Sequence, residues 1–578
     1  MPKLAYRLAY PTELVYFRDL IDNKWQEKIF TSLSEVKQEA NLNIWYEKIR
    51  ELLSREPEIP STIWALAAKL AWILTDIQFF RDHAELLQKQ SSNDPLLQFW
   101  LAAGIAEFLD SQAGLDLLKL AHDRIVSMKD WHALVDIAAV YGCITLNCDA
   151  KTNFQESYFT VKQVFEEELN SDPAYLHLFI PLQLFARNAK LETTDLNPEG
   201  ALEKMKKSNH RLYTAWTYNF LSKDLGEDET PSFLEASIAE LHKIDAKFRL
   251  IIAYTNLSHF LFEKGKRKEA KKYLEIALSL IDENARNQPD AHGLFLYTDT
   301  TSAWMNLEQG KIEEARSLLE EAQKRAEAYK SPYYQVKVGI GLAYTTFLAL
   351  QYERTLEYID QVLEAIEFLP PEQQSMGLFK CIDLLLDLNF SDKARKLLDK
   401  IDFSQLQKCA VPTYYYIRGK FEFSRYNVGI GKEYLIKAMQ DDNLKECRDL
   451  GSELRFQTAQ CYLQEFKLSE DKKVLVKAQE LIDEGLKEIS DVPTKAKGLC
   501  LSAILLTAQE RFEEAEEILE RIISSSEFAI PRFQEMAENI WDSIRDARAG
   551  MINSPISHFK DMVRYVREAK TLIDGRPR

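Results

Sequence analysis

At 578 residues the chain is long for a single globular core, and its 19 Gly and 18 Pro are too few for the many special turns of an all-β fold. An apolar fraction of 46% argues against wholesale disorder. A formal net charge of −17 repels phosphate, which speaks against nucleic-acid binding and against docking on anionic membranes.

Residues 1–60 carry amphipathic patterns for two or three helices that would cap the rest of the chain. The opening MPKLAYRLAYPTELVYFRDL has no sustained apolar core, so no signal peptide is expected. The most apolar stretch, Ile63 to Phe80, is interrupted by Lys69 and Asp76 and reads as a buried helix, so no membrane insertion is expected. From Trp100, WLAAGIAEFLDSQAGLDLLKLAHDRI predicts a small-residue helix, a Gly-containing turn and a second helix. WHALVDIAAVYGCITLNCDA and YLHLFIPLQLFARNAK are apolar enough for buried helices, and RLYTAWTYNFLS with PSFLEASIAELHKI reads as another pair. Breaks are expected at 187–200 and 223–232.

Residues 254–280 and 299–325 align without a gap. Small residues coincide at Ser258 and Ala303, Gly265 and Gly310, Ala270 and Ala315, and Ala277 and Ala322. Two antiparallel helices joined by a short turn need small residues where they cross, and a glycine where the turn takes an unusual backbone angle. Five further units keep the pattern: Ala343, Thr355 and Val362; Ile382, Ala394 and Ile401; Gly419, Gly431 and Ala438; Ala459, Ala478 and Gly485; Ala503, Ala515 and Ile522.

This pattern resembles the tetratricopeptide repeat, with a small residue in helix A, a second early in helix B and a third seven positions later. The resemblance covers roughly 246–530. It implies an all-α fold, a right-handed α-solenoid of antiparallel helix pairs. The organisation would be a helical cap over 1–60, degenerate repeats over 61–245, recognisable repeats over 246–530 and capping helices over 531–578. The helix-B positions 270, 315, 355, 394, 431, 478 and 515 are 37 to 47 apart, against a family period of about 34. Helices longer than the family norm are therefore expected. Pro332, Pro371, Pro412, Pro493 and Pro531 should fall in the first turns of the next helices.

Candidate chemistry is sparse. The seven cysteines, Cys143, Cys148, Cys381, Cys409, Cys447, Cys461 and Cys500, are scattered and odd in number, which suits a reducing compartment, and a cytoplasmic location is expected. Cys143 and Cys148 with His132 lack the further ligands of a zinc site. Gly429 to Lys432 reads GIGK without phosphate-loop spacing and is expected on an inter-helix turn. No metal, no cofactor and no catalysis are expected. The basic terminal segment of Lys560, Arg564, Arg567, Lys570, Arg576 and Arg578 is diluted by acidic residues and reads as a solvated helix.

The resemblance implies that helix A of each repeat lines a concave face. That face would carry Thr255 and His259, then Tyr297, Thr300 and Trp304, then Lys337, Tyr344 and Phe347, then Phe379 and Asp383, then Tyr416 and Lys420. It implies a non-catalytic protein-protein interaction scaffold or adaptor binding a protein or peptide partner in this groove. A regulator sensing a peptide or small ligand, and an enzyme or effector with an unrecognised site, stay open as alternatives.

Overall fold

The computed structural model describes residues 20–21, 24–26, 42–56, 58–83, 94–128, 131–144, 151–167, 173–188, 198–208, 211–222, 229–281, 292–369, 371–447, 450–489 and 491–548. Among them no strand occurs, and the regular elements are helices packed in consecutive pairs. The chain is an all-α solenoid of antiparallel helix pairs. Its contacts divide it into two compact units, unit 1 formed by 1–301 with 324–334 and unit 2 by 302–323 with 335–578.

In unit 1 the helices are α1 (Leu42–Arg55), α2 (Ser61–Leu74), α3 (Pro95–Gly104), α4 (Ser111–Met128), α5 (Trp131–Ile144), α6 (Lys151–Glu167), α7 (Pro173–Asn188), α8 (Pro198–Ser208), α9 (Arg211–Leu221), α10 (Thr230–Lys243), α11 (Lys247–Glu263) and α12 (Arg267–Leu280). Helix α13 (His292–Glu308) and helix α14 (Ile312–Ala328) contribute residues to both units. Unit 2 continues with α15 (Pro332–Leu348), α16 (Tyr352–Ile366), α17 (Pro371–Asp387), α18 (Ser391–Leu398), α19 (Val411–Ser424), α20 (Val428–Gln440), α21 (Leu450–Ser469), α22 (Lys472–Glu488), α23 (Val492–Ala508), α24 (Phe512–Ser524) and α25 (Pro531–Arg548). The five prolines expected at helix starts each occupy the first or second position of a helix, where a missing N–H costs nothing.

The seams are as close as the small residues allow. Ser258, Ala270, Ala277, Ala303, Ala315 and Ala322 are fully buried. Ser258 donates its hydroxyl to the Ala270 carbonyl of the facing helix at 2.6 Å, and Ser237 does the same to Ala215 at 2.8 Å in the pair α9 and α10. A methyl group at Gly431 would stand 2.9 Å from the Gly419 carbonyl oxygen. Ala315→Leu and Ala270→Leu should each overpack such a seam and cost about 1–3 kcal/mol in urea denaturation; parental stability in both would refute the alignment.

The turns repeat one geometry. Gly265, Gly310, Leu350, Asn389, Tyr426 and Glu510 all have positive φ, between 60° and 76°. After each, the next residue's N–H returns to a carbonyl five residues back, as Lys266 does to Leu261 and Arg511 to Leu506, both at 2.9 Å. This left-handed cap satisfies carbonyls that the helix end leaves open. The small residue of helix B then follows five positions later, at 270, 315, 355, 394, 431 and 515.

Three local expectations are corrected. Gly429 lies in the first turn of α20 and not on the inter-helix turn, where Tyr426 takes the left-handed angle instead. Helix α18 stops at Leu398, so Ile401 falls beyond it, because the chain turns into 3-10 segments there. Gly114 lies inside α4 rather than on a turn; a Cβ there would come within 2.2 Å of the Ala106 backbone nitrogen, so helix meets backbone directly. Cys148 and the basic segment from Lys560 onward lie outside the described residues, as do most of the first 41, and of Cys143 and His132 only the backbone of α5 is described.

Unit 1 also holds charges inside its apolar core. Lys69, the charge that interrupts α2, is 5% exposed and pairs with Asp136 at 2.8 Å, and Asp136 accepts the Tyr213 hydroxyl at 2.6 Å. Arg249 pairs with Glu107, its second nitrogen at 3.0 Å, and its guanidinium lies 4.7 Å from the Trp72 ring centroid. Glu107 sits in a π-helical turn, Ile105–Leu109, whose Ala106 and Glu107 carbonyls accept the Tyr329 hydroxyl at 2.7 and 2.8 Å.

Candidate functional site

Side chains of the alternate helices α15, α17, α19, α21, α23 and α25 come within electrostatic reach of one another inside unit 2. Each is helix A of its pair, or in α25 the helix that follows the last pair. Lys420 on α19 is 5% exposed and binds two carboxylates of α17, Asp383 at 2.5 Å and Asp387 at 2.8 Å. Asp383 and Asp387 stand four residues apart, so they share a face of α17. Tyr416 lies one turn before Lys420, and burial first, then the nearby Asp383 carboxylate, push its hydroxyl well up. On α21 Glu453 pairs with Lys497 of α23.

The titration of these groups reports the geometry. Burial alone would raise the Asp387 carboxyl, but the charges of Lys420, Lys497 and Arg532 outweigh it and hold it below its ordinary value. Those cations stand on α19, α23 and α25, so charges from three other helices of unit 2 reach the Asp387 carboxylate. The Tyr344 hydroxyl on α15 is pushed well up, first by burial and then by Asp491, Glu453, Asp387 and Asp383. Burial would lower Lys420, but Asp383 and Asp387 overcome it, so its ammonium is held more firmly than usual. Neither this lysine nor this tyrosine has a deprotonated form at neutral pH. The Cys381, Cys461 and Cys500 thiols are pushed up to about 12, chiefly by burial, and are poor nucleophiles. The set can hold donors, acceptors and rings against a ligand; it is not tuned to move protons near neutrality.

Of the residues expected on the concave face, the structure brings Tyr344, Asp383, Tyr416 and Lys420 together. Phe347 is 4% exposed, with the Arg532 guanidinium 3.8 Å from its ring centroid. Phe379 is buried in α17. Trp304 and Lys337 are half-buried in α13 and α15, and burial lowers the Lys337 ammonium. Tyr297 and Thr300 belong to unit 1. Tyr297 donates to Asn256 at 2.6 Å, whereas Thr300 is fully buried and spends its hydroxyl on the Leu296 carbonyl of its own helix, also at 2.6 Å. Thr255 is likewise fully buried, bonded to Ile251 and 3.1 Å from the Thr298 hydroxyl, while His259 on the same helix is exposed.

Sequence reasoning misses Asp387, Glu453, Lys497 and Arg532. A register signal exists for two of them. Glu453 and Lys497 stand six residues before the small residues Ala459 and Ala503, as Lys337 does before Ala343. Asp387 is one turn beyond Asp383 on the same face. Arg532 follows the last recognisable pair and has no seam residue to set its register. Among the described residues no three of His, Cys, Asp and Glu are grouped to hold a metal ion, and no helix is long and apolar enough to cross a membrane.

Residues 251–284 match the tetratricopeptide repeat family, over the pair α11 and α12. No curated protein matches the chain. Among solved structures, the Rap protein complexed with competence and sporulation factor is 13% identical, with 68% of this chain and 99% of that chain covered and a TM-score of 0.37. The APC/C hetero-tetramer Cut9-Hcn1 is 13% identical, with 94% and 98% covered and a TM-score of 0.39. Naa15/Naa10 bound to HypK is 12% identical, with 96% and 100% covered and a TM-score of 0.28. Scores of this size carry no functional parallel. The small-residue seams, the recurring left-handed turns and the match at 251–284 make this chain a tetratricopeptide-like helical-repeat protein.

Proposed function

We propose that the chain is a non-catalytic interaction scaffold that takes an extended segment of a protein or peptide partner in the groove of unit 2. The observation that carries this reading is the convergence of Tyr344, Asp383, Asp387, Tyr416, Lys420, Glu453, Lys497 and Arg532 from alternate helices. Acidic and basic groups facing one inner space can pair with the amide groups and charges of an extended chain. Half-buried tyrosine supplies contact area at low entropic cost. Lys420 is already neutralised by two carboxylates, so it orders the groove rather than gripping a partner itself.

The test is selection of nonapeptides from a random display library on the purified full chain. Enriched peptides should lose tenfold or more in affinity for Tyr344→Ala, the effect of removing a contact worth about 1.4 kcal/mol, with its melting unchanged. Failure to enrich any sequence, or enriched peptides indifferent to Tyr344→Ala and Lys497→Ala alike, would exclude this groove.

A further inference from the structure

We propose that an aromatic surface around Phe403, apart from the groove, is a second docking site of unit 2 and takes an acidic peptide segment of a partner protein. The surface exists because one repeat is cut short. Helix α18 has 8 residues, where the second helices α16, α20, α22 and α24 have 13 to 17. The chain then crosses to α19 through two short 3-10 segments, Phe403–Gln405 and Lys408–Ala410. The first sets the Phe403 ring 5.0 Å from that of Tyr414 and 5.8 Å from that of Tyr415, centroid to centroid. Tyr415 in turn stacks on Tyr434 of α20 at 6.2 Å. Four rings thus stand together, yet Phe403 is 45% exposed and the three tyrosines are only half-buried. Tyr414 lies about 200° round α19 from Tyr416, so this surface is separate from the groove.

The local charge selects the partner. Residues 391–440 hold ten Lys and Arg against five Asp and Glu, in a chain of net charge −17. Arg418 stands 5.6 Å from the Tyr414 ring centroid and donates from Nε to its hydroxyl at 3.0 Å. Lys437 stands 5.4 Å from the Tyr434 ring centroid. Among the described residues neither cation is paired with a carboxylate. Of the acidic groups close by in the chain, Asp399 pairs with Arg395 at 3.7 Å, and Asp402 accepts the Ser404 N–H and hydroxyl at 3.0 and 2.7 Å. An aromatic anchor beside cations that lack a carboxylate is the composition of an interface centre, where tyrosine and arginine are enriched. Carboxylates of an acidic segment would be steered to those cations. A second copy docked about a two-fold axis would set the same cations against themselves. A single strand of nucleic acid can also stack on rings, but it brings a phosphate at every residue into the field of a −17 chain. A peptide needs carboxylates only where the cations stand.

The experiment is selection on the purified full chain from a nonapeptide library with fixed Asp and Glu positions, the enriched peptides then being titrated by fluorescence anisotropy. They should carry an aromatic, Leu or Pro residue beside the acidic positions. Affinity should fall about tenfold for Phe403→Ser and about as far for Lys437→Glu, an exposed position of α20, with melting unchanged in the latter. It should stay parental for Tyr344→Ala. Raising salt from about 0.05 to about 0.5 M should weaken binding about fivefold. No enrichment, or affinity indifferent to Phe403→Ser and Lys437→Glu alike, would overturn the proposal. Loss for Phe403→Ser with no effect of Lys437→Glu or of salt would leave an apolar site and overturn the acidic partner. Loss for Tyr344→Ala alone would put the acidic peptides in the groove and overturn the second site. Dimers in sedimentation that Phe403→Ser abolishes, or a labelled oligo(dT) strand bound more tightly than the peptides, would overturn it in favour of a second copy or a nucleic acid.

Discussion

Arg249→Met is expected to destabilise unit 1 by roughly 3–5 kcal/mol. Both partners of the pair are buried, with side chains 5% and 8% exposed for Arg249 and Glu107. Removing one leaves the other charged and uncompensated in low dielectric. Methionine keeps most of the volume, so the loss is electrostatic rather than a cavity. Adding Glu107→Leu should recover most of the cost, since replacing a whole buried pair with apolar groups is often neutral. Urea denaturation followed by tryptophan fluorescence is the measurement, because the guanidinium lies over Trp72. A cost under about 1 kcal/mol would place the pair among exposed ion pairs, contrary to its burial.

Lys420→Met should destabilise unit 2 by about 2 kcal/mol at pH 7, less than Arg249→Met because Asp383 and Asp387 keep 29% and 30% of their side-chain surface. The sign with pH follows from Asp387, whose folded value is held below its ordinary 3.8. A depressed carboxylate contributes stability above its unfolded value and loses it as pH falls through the folded one. Without Lys420 that contribution shrinks. The gap between parent and variant should be full at neutral pH and narrow below about pH 4. A gap of constant size from pH 7 to pH 3 would show that the lysine acts by packing alone.

The helix pairs are legible in the sequence because their signal is steric and local. A backbone crossing demands Ala, Ser or Gly at a fixed place, so Ala270, Ala315 and Gly431 announce themselves without any knowledge of neighbours. The left-handed turns are legible where glycine fills them, at 265 and 310, and less plainly at Asn389, a residue type that tolerates the angle. Leu350, Tyr426 and Glu510 accept the same angle under constraint from the helices on either side, and nothing in their chemistry says so. The proposed groove is half legible. Position within helix A points to Tyr344, Asp383, Tyr416 and Lys420, but whether Lys420 faces a partner or two aspartates depends on pairing across repeats. In unit 1, Lys69 and Glu107 can be read as charges in apolar helices, while their partners Asp136 and Arg249 lie 67 and 142 residues away.

The uniform turns have a mechanical consequence. Each hairpin from Gly310 to Tyr426 is closed by the same cap, and successive caps fall at 310, 350, 389 and 426. Pulled from its ends, an array held by like seams has no single strong bolt, so it should yield hairpin by hairpin. A hairpin of this size releases roughly 140 Å of contour at about 3.6 Å per residue. Even steps of that length would give the chain the response of an extensible tether, lengthening in increments under load while the remaining pairs stay folded.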